Sequence, residues 1–268
     1  MPLTFHKKPA LVAYVTCGDP DLATTRQIVL AAIEAGADVI ELGVPFSDPV
    51  ADGPVIQRAS ERALQQGTSL AEVLTLAAEI RQHAQSTGLI VFSYLNPILR
   101  MGIRKFCKVA RAAGVDGALV TDLPVEEAGE YLAAMKAYDL DPIFLAAPTS
   151  PDTRLKHIAA ASRGFVYAVS RTGVTGARQQ LADDAKKLVR RLRRVTKLPI
   201  AVGFGISNAK QFAEVGKFAD AVVVGSAIVE TIEQNRGHEA AAVGRFVKEL
   251  SAGSHDLTKS NWPTAEAR

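Results

Sequence analysis

Short apolar runs rich in β-branched residues alternate with amphipathic stretches from end to end of this chain, and that alternation limits its fold more than any other feature. Eight such runs occur, at residues 10–16, 37–44, 89–95, 117–123, 142–148, 164–170, 199–205 and 219–225. Most are almost continuously apolar, as strands covered on both faces are. Repeated β–α units build a parallel sheet, and eight of them close into a (β/α)8 TIM barrel. A doubly wound sheet usually has fewer strands and a glycine-rich first turn. The first turn here, TCGDPD, lacks G-x-G-x-x-G. A single α/β domain is therefore expected over residues 1–251, a parallel eight-stranded barrel with outer helices. A chain of 268 residues, 48% hydrophobic, is long enough to bury such a core. The polar, aperiodic tail at 252–268 is expected to fray.

The intervening stretches carry helix signals. Ser69 and Glu72 make an S-x-x-E capping box, Ser150 before Pro151 reads as an N-cap with a proline at the first helical position, and Ser207 precedes the run with Phe212 and Val215. Gly36 and Gly216 stand where helix C-terminal caps belong. Ile28, Val29, Ala32 and Ile33 share one helix face, and Tyr131, Leu132 and Met135 another; these stripes are core contacts.

Charge excludes several function classes. The 31 basic and 28 acidic residues leave a formal charge of only +3, which gives no field that calls for nucleic acid or a membrane surface. The basic run RRLRRVTK at 190–197 lies on a helix whose inner stripe is Leu188, Leu192 and Val195, so a solvated face is expected. No apolar segment approaches the ~20 residues that span a bilayer. The N-terminal segment has no small-residue cleavage pattern, so a cytoplasmic protein is expected. Cys17 and Cys107 read as two buried thiols. His6, His83, His157, His238 and His255 are scattered without ligand spacing, so no metal is expected.

The segment at 41–54, ELGVPFSDPVADGP, carries the first chemistry. Parallel α/β folds place their reactive groups at the carboxyl ends of strands. Glu41, flanked by Ile40 and Leu42, and Asp52, in the loop that follows, are accordingly the candidates for acid–base work. A glutamate held among apolar neighbours in a barrel mouth has a raised pKa and can both give and take a proton near neutrality. Asp38 opens the strand, and Asp48 before Pro49 suits turn formation. Late in the chain come three glycine-bearing turns, SRTGVTGAR, VGFGIS and VVGSAIV. Loops after the last strands of a barrel, with a helix N-terminus, make a common phosphate site. Gly205 and Gly225 are placed for backbone donation, Ser226 for its N–H and hydroxyl, and Gly176 for closing the pocket from the third loop. That loop, with Gly173 and Gly176 and few apolar anchors, also suits closure over a substrate.

Taken in order, YVTCGDPD, ELGVPFSDPVADGP, GVDGALVTDLPVEE, YAVSRTGVTGA, VGFGIS and GSAIV resemble the alpha-subunit family of tryptophan synthase, over nearly all of the barrel. The resemblance implies a carbon–carbon lyase that cleaves indole-3-glycerol phosphate to indole and glyceraldehyde 3-phosphate in tryptophan biosynthesis. It implies Glu41 as the acid–base group, Asp52 as the carboxylate at the indole N–H, and Tyr167 as the strand-six tyrosine near both Glu41 and substrate. Thr175 matches the loop threonine that meets Asp52 on closure. An apolar indole slot is expected from Tyr14, Phe92, Tyr94, Leu119 and Phe204. No cofactor is implied for this chain; pyridoxal phosphate (PLP) belongs to a beta subunit, the partner in an α2β2 heterotetramer, which receives the indole. The partner surface would be residues 45–54 with Asn96, Pro97 and Pro124. Two departures from the family pattern stand out: Thr121 lies where small apolar residues are common, and the segment before Ala10 is short for a helix plugging the barrel's bottom. A free-standing lyase and a phosphate-binding regulatory subunit are the alternatives.

Overall fold

In the computed structural model, the described residues are 3, 5, 7–169, 178–203 and 205–255. Nine parallel strands form one sheet: β1 (Ala10–Thr16), β2 (Val39–Gly43), β3 (Gly88–Ser93), β4 (Gly117–Val120), β5 (Asp141–Ile143), β6 (Leu145–Ala146), β7 (Val166–Val169), β8 (Ile200–Gly203) and β9 (Ala221–Val224). Their order is β5-β4-β3-β2-β1-β9-β8-β7-β6. The two ends of the sheet are thus β5 and β6, which Phe144 alone separates. Its carbonyl accepts from Tyr167 N at 3.1 Å. The expected fifth strand is therefore one strand broken at Phe144, and the chain itself closes the ring into a TIM barrel.

Helices α1 (Leu22–Glu34), α2 (Pro54–Gln65), α3 (Leu70–His83), α4 (Leu95–Met101), α5 (Ile103–Ala112), α6 (Gly129–Ala137), α7 (Asp152–Ala161), α8 (Arg178–Leu192), α9 (Ala209–Gly216), α10 (Ser226–Gln234) and α11 (Glu239–His255) follow the strands. None is long and apolar enough to cross a membrane among the described residues. The alternation of side chains explains the double-sided apolarity of the strands. Leu11, Ala13, Ile40, Leu42, Leu89 and Val91 point outward into the helix layer, while Val12, Val39, Ile90, Leu119 and Ile143 fill the barrel interior.

The capping box at Ser69 forms as expected. Two other caps fall one residue later than expected. Pro151 occupies the N-cap of α7 while Ser150 Oγ accepts from Ala147 N, and Asn208 caps α9 while Ser207 bonds Gln211. Gly216 ends α9 rather than following it; a Cβ there would lie 2.4 Å from Pro9 Cγ, so close packing requires the glycine. α11 runs to His255, past the expected limit at 251; the tail from 256 lies outside the described residues. Cys17 and Cys107 are both buried and free. The basic run begins on α8 and continues past it. Arg191 pairs with Asp152 and Arg193 with Asp220.

The barrel's amino-terminal end is held by aspartates that stand just before strands and take an N–H from the first or second residue of a neighbour. Leu11 N donates to Asp38 Oδ2 at 2.7 Å, Leu89 N to Asp116 Oδ2 at 2.8 Å, and Ile200 N to Asp220 Oδ2 at 2.8 Å. Each is paired with a cation: Lys7, Arg81 and Lys8, respectively. Asp38 thus opens its strand as expected. No helix is found among the described residues before Ala10; instead Leu3 is buried against the interior layer, its N–H held by Asp141 Oδ2 at 2.7 Å.

Candidate active site

A cavity of about 850 Å³ opens at the carboxyl ends of the strands. Inward positions around the ring supply its wall: Tyr14, Glu41, Phe92, Leu145, Tyr167, Val169, Gly203 and Val223, with Thr121 just past the end of β4. Glu41 is the odd member. It is fully buried, and neither carboxyl oxygen has a hydrogen-bond partner among the described residues. Its neighbours Ile40 and Leu42 face the helices, so strand alternation aims Glu41 inward with no freedom to turn out. Burial lifts its pKa from 4.5 to about 8, which leaves a neutral acid at pH 7 with a basic form close at hand.

Tyr14 is Glu41's partner in the β1–β2 register and meets Phe92 edge-on, with ring centroids 5.1 Å apart. Tyr167 reaches the same space from β7. Burial, followed by the charge of Asp52 for Tyr14 and of Glu41 for Tyr167, pushes both phenols up, so they stay protonated. Two glycines make room for them. A Cβ on Gly43 would stand 2.4 Å from the Tyr14 hydroxyl, and one on Gly203 would stand 2.6 Å from that of Tyr167. Neither glycine was singled out from the sequence, although glycine inside a strand is a signal of close approach.

Asp52 lies on the loop between β2 and α2. Tyr94 Oη donates to Asp52 Oδ2 at 3.1 Å and accepts from Ala51 N at 2.9 Å. Burial raises the Asp52 pKa to about 6 against the lowering effect of Tyr94, so the group is mostly ionised at pH 7. Glu41 and Asp52 thus differ in charge at pH 7, and a third carboxyl group, that of Glu230 on α10, also lines the cavity.

A further part of the wall comes from the turns that follow β8 and β9. Gly205, at φ +42°, Ser207, Gly225, Ser226 and Ala227 line it. Gly225 is the N-cap of α10, and the N–H groups of Ile228 and Val229 both turn back to its carbonyl, at 2.8 and 3.1 Å. The N–H groups of Ser226 and Ala227 precede those bonds, at the positive end of the helix dipole. Such a wall suits a phosphate.

The expected residues fall into three groups. Glu41, Asp52, Tyr167, Tyr14, Phe92, Gly205, Gly225 and Ser226 come together at this cavity. Tyr94 stands behind Asp52 instead of lining the slot, its ring stacked on Phe46 at 5.0 Å. Leu119 has the right parity but the wrong depth: it is fully buried in the interior layer, two residues (about 7 Å) below Thr121, which takes the wall position on that strand. Gly176, Thr175 and Phe204 lie outside the described residues. Thr121, expected to narrow or polarise the slot, does line the wall, whereas Leu145, Val169, Gly203, Ser207, Ala227 and Glu230 line it without a signal that the sequence reading used.

Fold and mouth together define a (β/α)8 barrel of the acid–base kind, with a buried carboxyl group and a helix-N-terminal anion cradle in one cavity. The family model described as tryptophan synthase alpha chain matches residues 3–257. The tryptophan synthase alpha chain of Solibacter usitatus is 52% identical over 250 residues, covering 92% of this chain and 93% of the relative. That of Neisseria meningitidis serogroup B is 50% identical over 241 residues, covering 90% and 92%. Among solved structures, tryptophan synthase subunit alpha from Legionella pneumophila aligns with a TM-score of 0.86 at 35% identity, over 93% of this chain and 94% of that one. Tryptophan synthase from M. tuberculosis in an aminoacrylate-bound form aligns with a TM-score of 0.83 at 37% identity, over 92% and 93%. The chain belongs to the tryptophan synthase alpha chain family.

Proposed function

We propose that this chain cleaves indole-3-glycerol phosphate to indole and glyceraldehyde 3-phosphate and passes the indole to a PLP-dependent beta subunit in an α2β2 heterotetramer. A member of this family is a carbon–carbon lyase, and the observation that carries the assignment of residues is Glu41: a fully buried carboxyl group, without a hydrogen-bond partner among the described residues, facing the cavity. The reaction needs such a group. Neutral Glu41 gives its proton to indole C3, which turns the ring into a cationic electron sink. The resulting carboxylate then takes the proton of the hydroxyl on the chain carbon bonded to C3. As that O–H electron pair becomes a carbonyl, the bond between C3 and the chain breaks, and its electrons return to the ring. Glu41 ends protonated as it began, so the cycle balances without a cofactor in this chain.

The positive charge passes through the indole nitrogen, where ionised Asp52 stabilises it. Tyr14 and Tyr167, protonated beside Glu41, fix the polar edge of the site, and Phe92 offers the indole an aromatic face. The Gly205, Gly225 and Ser226 wall takes the phosphate, with Gly176 closing over it and Thr175 meeting Asp52 from the loop after β7. The beta subunit would seat on the 45–54 loop with Asn96, Pro97 and Pro124. Val50, on that loop, is 86% exposed, and Leu99 of α4 is 55% exposed, an apolar pair suited to a partner. The assembly would work in the cytoplasm. A purely regulatory role gives no use to a glutamate buried in the cavity wall. The test is incubation of the purified chain with indole-3-glycerol phosphate, alone and with a beta subunit of the family. Equimolar indole and glyceraldehyde 3-phosphate are expected; release of neither in both arms removes the proposal.

A further inference from the structure

Glu230 is the third carboxyl group of the cavity, and no step of the cleavage uses it. It stands four residues after Ser226 on α10, so the two side chains share one helix face, about 5–6 Å apart at Cβ. Helical side chains lean towards the N-terminus, which lays that of Glu230 over the turn holding Ser226 and Ala227. All three residues line the same cavity. Glu230 is exposed, and its Oε1 accepts from Gln234 Nε2 at 3.3 Å. Arg58 of α2, within electrostatic reach of it, is held instead by both carboxyl oxygens of Glu233, at 3.0 and 2.7 Å. Among the described residues the cavity wall carries no lysine, arginine or histidine. An anion resting on the Ser226 and Ala227 N–H groups is therefore drawn in by peptide dipoles and pushed away by a carboxylate one turn along the same helix.

We propose that Glu230 is a specificity-determining residue of the phosphate end: its carboxylate lowers the preference of the α10 wall for doubly over singly charged tetrahedral anions and keeps the hold on a phosphate dianion loose. The inference rests on the phosphate lying against that wall, as proposed above. Repulsion scales with the charge on the anion, so a dianion loses more affinity to Glu230 than a monoanion of the same shape. A glutamine at 230 keeps the side chain's shape and an acceptor for Gln234 and loses the charge; a lysine reverses the charge.

The experiment is calorimetric titration of the full chain at about pH 8 with methyl phosphate, a dianion there, and with methyl sulfate, a monoanion of nearly the same shape. Wild type, Glu230→Gln, Glu230→Lys and Gly225→Asp are compared. Glu230→Gln is expected to bind methyl phosphate about threefold more tightly and methyl sulfate less than about twofold; for Glu230→Lys the gains are about tenfold and about threefold. Both gains should fade between about 20 mM and about 0.5 M salt, where the Debye length shrinks to a few ångströms. A purely structural role would move the two anions alike and would not respond to salt. Equal affinities in wild type and Glu230→Gln, or a gain that is the same for both anions or persists at high salt, overturns the proposal. Methyl phosphate that binds Gly225→Asp as tightly as wild type, or that binds none of the proteins, sinks the phosphate wall itself and this inference with it. The titration needs no turnover, so a chain that binds methyl phosphate as expected but releases no indole would sink the proposed cleavage alone.

Discussion

Replacing Glu41 by glutamine should make the protein's stability less dependent on pH, with a sign and a window set by the structure. Below about pH 4.5 the glutamate is protonated in the folded and unfolded chain alike and carries no penalty. As pH rises, the unfolded chain releases the proton first, because burial holds the folded pKa near 8 against an ordinary 4.5. The wild type therefore loses stability relative to the variant from about pH 4.5 until about pH 8, where the folded carboxyl ionises too. At about 1.4 kcal/mol per pH unit, that span corresponds to roughly 5 kcal/mol. Burying the glutamine amide has its own cost, but that cost does not vary with pH, so the slope of the difference isolates the ionisation. Urea unfolding of both proteins from about pH 4.5 to 9 measures it. A difference that stays constant between about pH 5 and 8 would show that Glu41 titrates like a solvated carboxylate and would refute the reasoning.

Gly225→Asp places a carboxylate at the N-cap of α10, beside the anion wall; inorganic phosphate and substrate should bind about tenfold or more weakly by isothermal calorimetry, and unchanged affinity would remove Gly225 from the site. Leu119→Ala should destabilise the barrel by about 2–5 kcal/mol while leaving KM close to wild type, because Leu119 belongs to the interior layer and not to the cavity wall; a raised KM with normal stability would return it to the slot.

The strands and the ring order were legible in the sequence because each strand is apolar on both faces and each is bounded by turn residues. The break at Phe144 was not. Phe144 points outward like any other alternate residue, and the interruption is a matter of pairing geometry that composition does not record. Period-two alternation gives the face of a residue but not its height in the barrel, which is why Leu119 was placed in the slot together with Thr121 although it lies a layer below. Tyr94 misled for a different reason: an aromatic at a strand end reads as slot wall, yet its hydroxyl is engaged by the Asp52 loop. The cap of α9 was misread by one residue because Ser207 and Asn208 are both good cap residues, and only the backbone decides between them. Glu41 and Asp52 were legible as a pair because strand ends concentrate chemistry. What separates their charge states is the deeper burial of Glu41 and, at Asp52, a tyrosine hydrogen bond that opposes burial, which only the assembled mouth supplies.

The most direct test of the central claim, that Glu41 moves the protons of carbon–carbon cleavage, is the rate of indole release from indole-3-glycerol phosphate by wild type and Glu41→Gln, with binding of substrate measured in parallel. Turnover should fall on the order of 10³-fold or more with binding retained, since the amide keeps the shape of the carboxyl group and cannot exchange its proton. Equal turnover in the two proteins would contradict the account.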